Sequence, residues 1–149
     1  MKNKKTVIIS FILIVVSVFL NHFLAIFAFT FSLSIIILIS LLIVVKNIEL
    51  SSIFKSLLLA SLIQINDIGV KLYAGGSHDG LAYGWFNLML LIEFLIAYII
   101  LIFGILILKK SKDINSNEWI AVLLFPIMFF LHLLVFSQLG LGRNYPLVW

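Results

Sequence analysis

From Thr6 to Val45 the chain runs forty residues with almost no polar interruption. As one helix that stretch would extend about 60 Å, twice the roughly 30 Å thickness of a bilayer's hydrocarbon core. It therefore has to cross, turn and cross back. The same texture returns near residues 53–73, 86–108 and 119–139. The expectation is an all-α integral membrane protein, a single domain over residues 1–149 built as a bundle of five transmembrane helices. Its spans are placed at about 6–22, 24–45, 53–73, 86–108 and 119–139. The first turn is expected at Asn21-His22, the strongly polar dipeptide inside the long apolar run, with Thr30–Ser34 as the alternative break.

Composition agrees with a lipid solvent. Only 11% of residues are charged, against about 25% in soluble domains, so a water-facing surface could not be covered. With no cysteine in 149 residues, disulfides, thiolate nucleophiles and Cys-ligated metal centres are excluded. The net charge of +4 would suggest nucleic acid in a soluble protein, but here the lysines flank apolar spans and no nucleic-acid partner is expected. The start, Lys2 to Lys5 followed by an apolar run, has the form of a secretion signal without a small-x-small cleavage site, and reads as an uncleaved anchor. Tyr73, Tyr83, Trp85, Trp119 and Tyr145 fall at span ends, the level that amphipathic aromatic rings prefer.

The basic residues orient the bundle. With a cytoplasmic amino terminus, Lys2, Lys4, Lys5, Lys46, Lys55, Lys109, Lys110 and Lys112 lie inside, and only Lys71 and Arg143 outside. That asymmetry satisfies the positive-inside rule and places the carboxyl terminus and the Ala74–Tyr83 loop on the extracytoplasmic side. A four-span arrangement would put Lys109–Lys112 outside and is worse. Abundant Ile, Lys, Asn and Phe suggest a bacterial cytoplasmic (inner) membrane.

Polar residues inside the spans are the candidate site. Ser56, Ala60, Gln64, Asp67 and Lys71 are spaced four, four, three and four, one face of the third span. Such a seam should turn toward protein or water rather than lipid. Asp67 and Lys71 stand at i,i+4 with the acid first, the favourable order for an ion pair. Glu93 lies eight residues into the fourth span, about 12 Å deep, with no basic residue within one turn. Its face continues through Ala97, Ile100 and Gly104, small enough for a second helix to approach closely. His132 lies in the fifth span beyond Pro126, whose missing N–H frees the carbonyl of Val122. Gln64, Asp67, Lys71, Glu93 and His132 are expected to form an intramembrane polar cluster in the outer half of the membrane, with His22 at or just above that level.

The third-to-fourth connection, Ala74 to Gly84, has four glycines in eleven residues and reads as a tightly folding outer loop. His78 and Asp79 in it are candidate metal ligands or proton-relay groups. No diagnostic metal spacing, phosphate loop, nucleophile elbow or dinucleotide fingerprint is present, so no metal and no cofactor are expected.

Three functions fit. The first is a non-enzymatic subunit, accessory or pore-forming component acting by association, as a homo-oligomer or with other membrane proteins, through the third-span seam and the Ala97–Gly104 stripe. The second is an ion- or proton-coupled transporter using Asp67, Glu93 and His132. The third is a membrane-embedded enzyme on a lipid-linked substrate, with His78, His132 or Glu93 as base and Lys71 or Arg143 holding an anion.

Overall fold

The computed structural model describes residues 2–24, 28–46, 50–107 and 116–145. Among these residues there are five helices: α1 (Lys2–Phe23), α2 (Ala28–Val44), α3 (Ser52–Tyr73), α4 (Gly80–Ile102) and α5 (Ser116–Phe136). A π-helical turn over Phe103–Ile107 extends α4. Two short strands, β1 (Gly76–Ser77) and β2 (Asn144–Tyr145), pair antiparallel. Among the described residues four helices are long and apolar enough to cross a membrane. The remaining one, α2, has 17 residues, about 25 Å.

Helix ends follow local chemistry. Ser51 caps α3 by accepting from Phe54 N, and Asp79 caps α4 by accepting from Ala82 N, each satisfying an amide that has no partner inside its helix. The cap at Asp79 places Gly80 to Gly84 in α4, so the connection between α3 and α4 is shorter than the loop expected through Tyr83. Of its glycines only Gly76 takes a positive φ, 102°.

The turn expected at Asn21-His22 is also corrected. Both residues lie inside the last turn of α1. Asn21 donates from Nδ2 to Ser17 O at 2.7 Å, and His22 Nδ1 stands 2.6 Å from Tyr73 O at the end of α3. Polar side chains that engage their own helix or a neighbouring helix end do not break the chain. The alternative break is helical too, with Ser34 bonded back to Thr30 O.

Directions alternate. Contacts between α3 and α5 keep a sequence separation of 64 or 65 along their length, so the two helices run parallel and in register. His22–Tyr73 and Val18–Gly69 set α1 parallel to α3. Ser32–Glu93 and Val44–Gly104 set α2 parallel to α4, in the opposite sense. Lys4, Lys5, Lys46 and Lys55 thus gather at one end, with Lys55 Nζ donating to Val44 O. The opposite end carries Lys71, Arg143 and the paired strands. Lys109, Lys110 and Lys112 lie outside the described residues.

The bundle is built around its least apolar helix. α3 packs against each of the other four, and half of its spanning window is buried, against 28% in α1 and α5. Polarity is inverted relative to a soluble fold: Leu134 is 81% exposed and Val135 69%, while Lys71, Ser32 and Ser56 are 0% exposed. That distribution is compatible with an apolar solvent around the bundle.

Candidate functional site

The seam on α3 faces α5. Ser56 Oγ donates to Ala121 O at 2.8 Å, Gln64 Nε2 to Met128 O at 2.8 Å, and Lys71 Nζ to Phe136 O at 3.2 Å. Between the last two, Asp67 Oδ2 stands 2.7 Å from His132 Nε2. Ala60, the non-polar member of the seam, is buried in the apolar core with Phe125. Small beside large lets the parallel helices close without a void.

Lys71 is 0% exposed. Its ammonium has three N–H donors and three acceptors: Asp67 Oδ2 at 2.8 Å, Asn87 Oδ1 at 2.9 Å and Phe136 O at 3.2 Å. Asn87 in turn donates from Nδ2 to Ser137 O. One carboxylate oxygen, Asp67 Oδ2, thus serves both the ammonium and the imidazole, and the charged group ties α3 to α4 and α5. Against the His132 ring packs Phe136, centroids 5.0 Å apart.

Glu93 is reached from the other side of α3. It is 1% exposed. Ser32 Oγ donates to Glu93 Oε1 at 2.5 Å, and Asn66 Nδ2 donates to Ser32 Oγ at 2.8 Å and to Glu93 Oε2 at 3.5 Å. Glu93 forms no ion pair among the described residues, though it lies within electrostatic reach of Asp67. Asn66 and Asp67 are neighbours in sequence, so adjacent residues of α3 carry the two acids' environments on two sides of one helix.

The kink residue Pro126 has a partner across the bundle. Tyr98 Oη donates to Val122 O at 3.1 Å, the carbonyl that proline leaves without an intrahelical donor. Phe94 stacks on Phe125 and Phe129 with centroids 4.1 and 4.3 Å apart, filling the space between α4 and α5 below the polar groups.

His78 and Asp79 have structural partners rather than an open loop site. His78 is 1% exposed; its N–H donates to Arg143 O, its carbonyl accepts from Gly142 N, and its Nε2 stands 2.9 Å from Ala74 O. Asp79 Oδ1 is the α4 cap. Together with the strand pair these bonds fold residues 137–145 over the end of the bundle. Gly140, at φ +82°, lies flat against the Lys71 carbonyl and the Tyr83 hydroxyl, leaving no space for a Cβ. The cap thus lies against the backbone of Lys71 at the end of α3. Among the described residues no three His, Asp or Glu side chains converge as metal ligands.

Ser32, Asn66 and Asn87 are members of the cluster that sequence reasoning passed over. Asn66 precedes Asp67 and could have been flagged as a second buried polar group. Ser32 and Asn87 carry no signal until the helices are paired. The Ala97–Gly104 stripe contacts α2 within the same chain: Ala97 is 0% exposed and Gly104 meets Val44. No family model, characterised protein or solved structure matches the chain, so function has to be read from this geometry.

Proposed function

We propose that the chain is a multi-pass membrane protein that takes up and passes on a proton at the buried cluster of Glu93, Asp67 and His132, with Lys71 as the fixed countercharge. In this reading the lysine-rich end is cytoplasmic, the capped end is extracytoplasmic, and a bacterial inner membrane supplies the lipid. Support comes first from the sharing of one Asp67 oxygen by Lys71 and His132, while the preceding residue, Asn66, holds Glu93.

The chemistry is a charge balance. A net charge buried in a low-dielectric interior is strongly unfavourable, and groups there pair or neutralise. Lys71 and Asp67 cancel. Glu93 and His132 remain, and the cluster is neutral when one proton is held between them. Two protons leave it positive and none leaves it negative. The bridging groups suit either location. A hydroxyl both donates and accepts, so Ser32 serves an ionised Glu93 as donor and a protonated one as acceptor. His132 receives a proton while Asp67 Oδ2 continues to hold the imidazole. Intramembrane ionisable groups arranged in this way are the usual parts of proton relays.

Association, the other leading reading, loses the surfaces assigned to it, because the α3 seam and the Ala97–Gly104 stripe are used within one copy. An enzyme acting through His78 loses its base to the cap. The test is proton flux into proteoliposomes under an imposed gradient, followed with an internal pH dye. Glu93→Gln, which keeps the shape and one acceptor oxygen, should abolish flux while the protein still folds and melts cooperatively. Wild-type protein that passes no more protons than empty vesicles, or Glu93→Gln that passes as many as wild type, refutes the relay.

A further inference from the structure

A second polar face, on α1, takes no part in the relay. Thr6, Ser10, Ser17 and Asn21 are buried, the last three completely. With Ile14 they are spaced four, four, three and four, one stripe of the helix, on a helix that packs against α2 and α3. Serines inside helices commonly bond back to the carbonyl four residues earlier, as Ser34 and Ser40 do in α2 at 2.7 Å. Ser10 and Ser17 do not. Among the described residues Ser10 Oγ, Ser17 Oγ and Asn21 Oδ1 meet no protein partner, and neither does Asn66 Oδ1 on α3.

Register places these atoms at related heights. The His22–Tyr73 contact, at a separation of 51, sets Asn66 level with Val15, within the stretch from Ser10 to Asn21. That stretch covers about 16 Å of helix rise. Four buried oxygens with capacity to spare, at overlapping heights on two packed helices, are what ordered internal water occupies in folded proteins. An apolar lining would stay dry; these atoms are hydroxyl and amide oxygens.

We infer that the inward face of α1 binds a file of ordered water running between Ser10 and Asn21 and reaching the Asn66 side of the Glu93 carboxyl. As a route for proton exchange toward the lysine-rich end, the file rests on the relay proposed above. As a hydrated seam it stands by itself. Water held there would hydrogen-bond to Ser10, Ser17 and Asn21 in place of the missing protein partners, and would pass Ile14, which is 1% exposed yet sits between Ser10 and Ser17 on the stripe.

Hydroxyl-radical footprinting of the intact protein in nanodiscs tests this directly, since radiolysis of bound water labels the side chains beside it. Ile14 should be oxidised several-fold faster than Leu59 and Leu101, which are 0% exposed in the apolar core. Equal protection of all three overturns the file. Ser10→Ala and Ser17→Ala give an independent reading by thermal melting. Removing a water-bonded hydroxyl should lower Tm, whereas removing a dry, unpartnered one should raise it; a rise in both variants also overturns the file. Flux separates the two claims. Labelled Ile14 in a protein without proton flux keeps the hydrated seam and removes the relay, whereas flux with a protected Ile14 does the reverse.

Discussion

A double-substitution cycle on Asp67 and Lys71 gives the sharpest energetic consequence of this architecture. Lys71 has no exposure and three acceptors, of which only Asp67 is charged. Replacing Asp67 with Leu leaves the ammonium buried beside Asn87 and a backbone carbonyl. Uncompensated buried charges of this kind cost about 3–5 kcal/mol, and the upper part of that range applies because no water reaches Nζ. Lys71→Met strands Asp67 with His132, which can take a proton and compensate, so about 3 kcal/mol is expected. With both removed neither charge of the pair is left, and the remaining loss is that of three hydrogen bonds, Lys71 to Asn87 and Phe136 and His132 to Asp67, about 2–4 kcal/mol together. The coupling energy is then about 3–6 kcal/mol. Ordinary hydrogen bonds between membrane helices couple by about 0.6 kcal/mol on average and no more than about 1.7, so the expected value stands clear of that background. Reversible unfolding of each variant in bicelles, by steric trapping, measures it. Coupling below about 1.7 kcal/mol, or additive single effects, would refute a buried, mutually compensating pair.

Other parts of the fold make separate predictions. Tyr98→Phe should destabilise by about 1–3 kcal/mol by stranding the Val122 carbonyl; in a Pro126→Ala background, where the helix supplies its own donor, the same change should cost less than about 0.5 kcal/mol. Unequal results in the two backgrounds are read by the same unfolding assay. Gly140→Ala combines a left-handed backbone with a collision against the Lys71 carbonyl and should cost about 2 kcal/mol, seen as faster hydrogen exchange at the His78 and Gly142 amides that hold the cap. Gly104→Leu should disrupt α2 against α4 within one copy, lowering the monomer's stability; a stable monomer that merely fails to oligomerise would contradict the packing. A cysteine placed at Gly80, unique in this chain, should react with a membrane-impermeant maleimide in intact cells, and reaction only after lysis would invert the proposed orientation.

How legible these features were differs by residue. The spacing of Ser56, Gln64, Asp67 and Lys71 marks one helix face without any knowledge of neighbours, because helical period is a local property. What that face meets is not local, and the α5 carbonyls it bonds appear only once the helices are paired. The same limit hid Ser32 and Asn87. Pro126 identified the freed Val122 carbonyl, but nothing in the chain pointed to Tyr98 as its donor. Asn21-His22 reads as a turn because polarity in an apolar run resembles a break; in the structure these side chains engage the carbonyls of Ser17 and Tyr73 instead. At Ala74–Gly84 the glycines outweighed Asp79, although an aspartate before an apolar run is a recognised helix start. His78, by sequence a candidate metal ligand or proton-relay group, bonds to Gly142 and Arg143, in a segment distant in sequence that no local reading brings near.

In the proposed relay Glu93 and His132 hold one exchangeable proton between them beside the compensated Asp67–Lys71 pair. Infrared difference spectroscopy of bilayer-reconstituted protein under a pH jump measures this directly, because protonated carboxyls absorb apart from carboxylates and labelled histidine reports its own ring. A single carboxyl signal is expected, one that vanishes in Glu93→Gln and changes in concert with the His132 ring in wild type. A carboxyl signal insensitive to Glu93→Gln, or a His132 ring that titrates independently of Glu93, would contradict it.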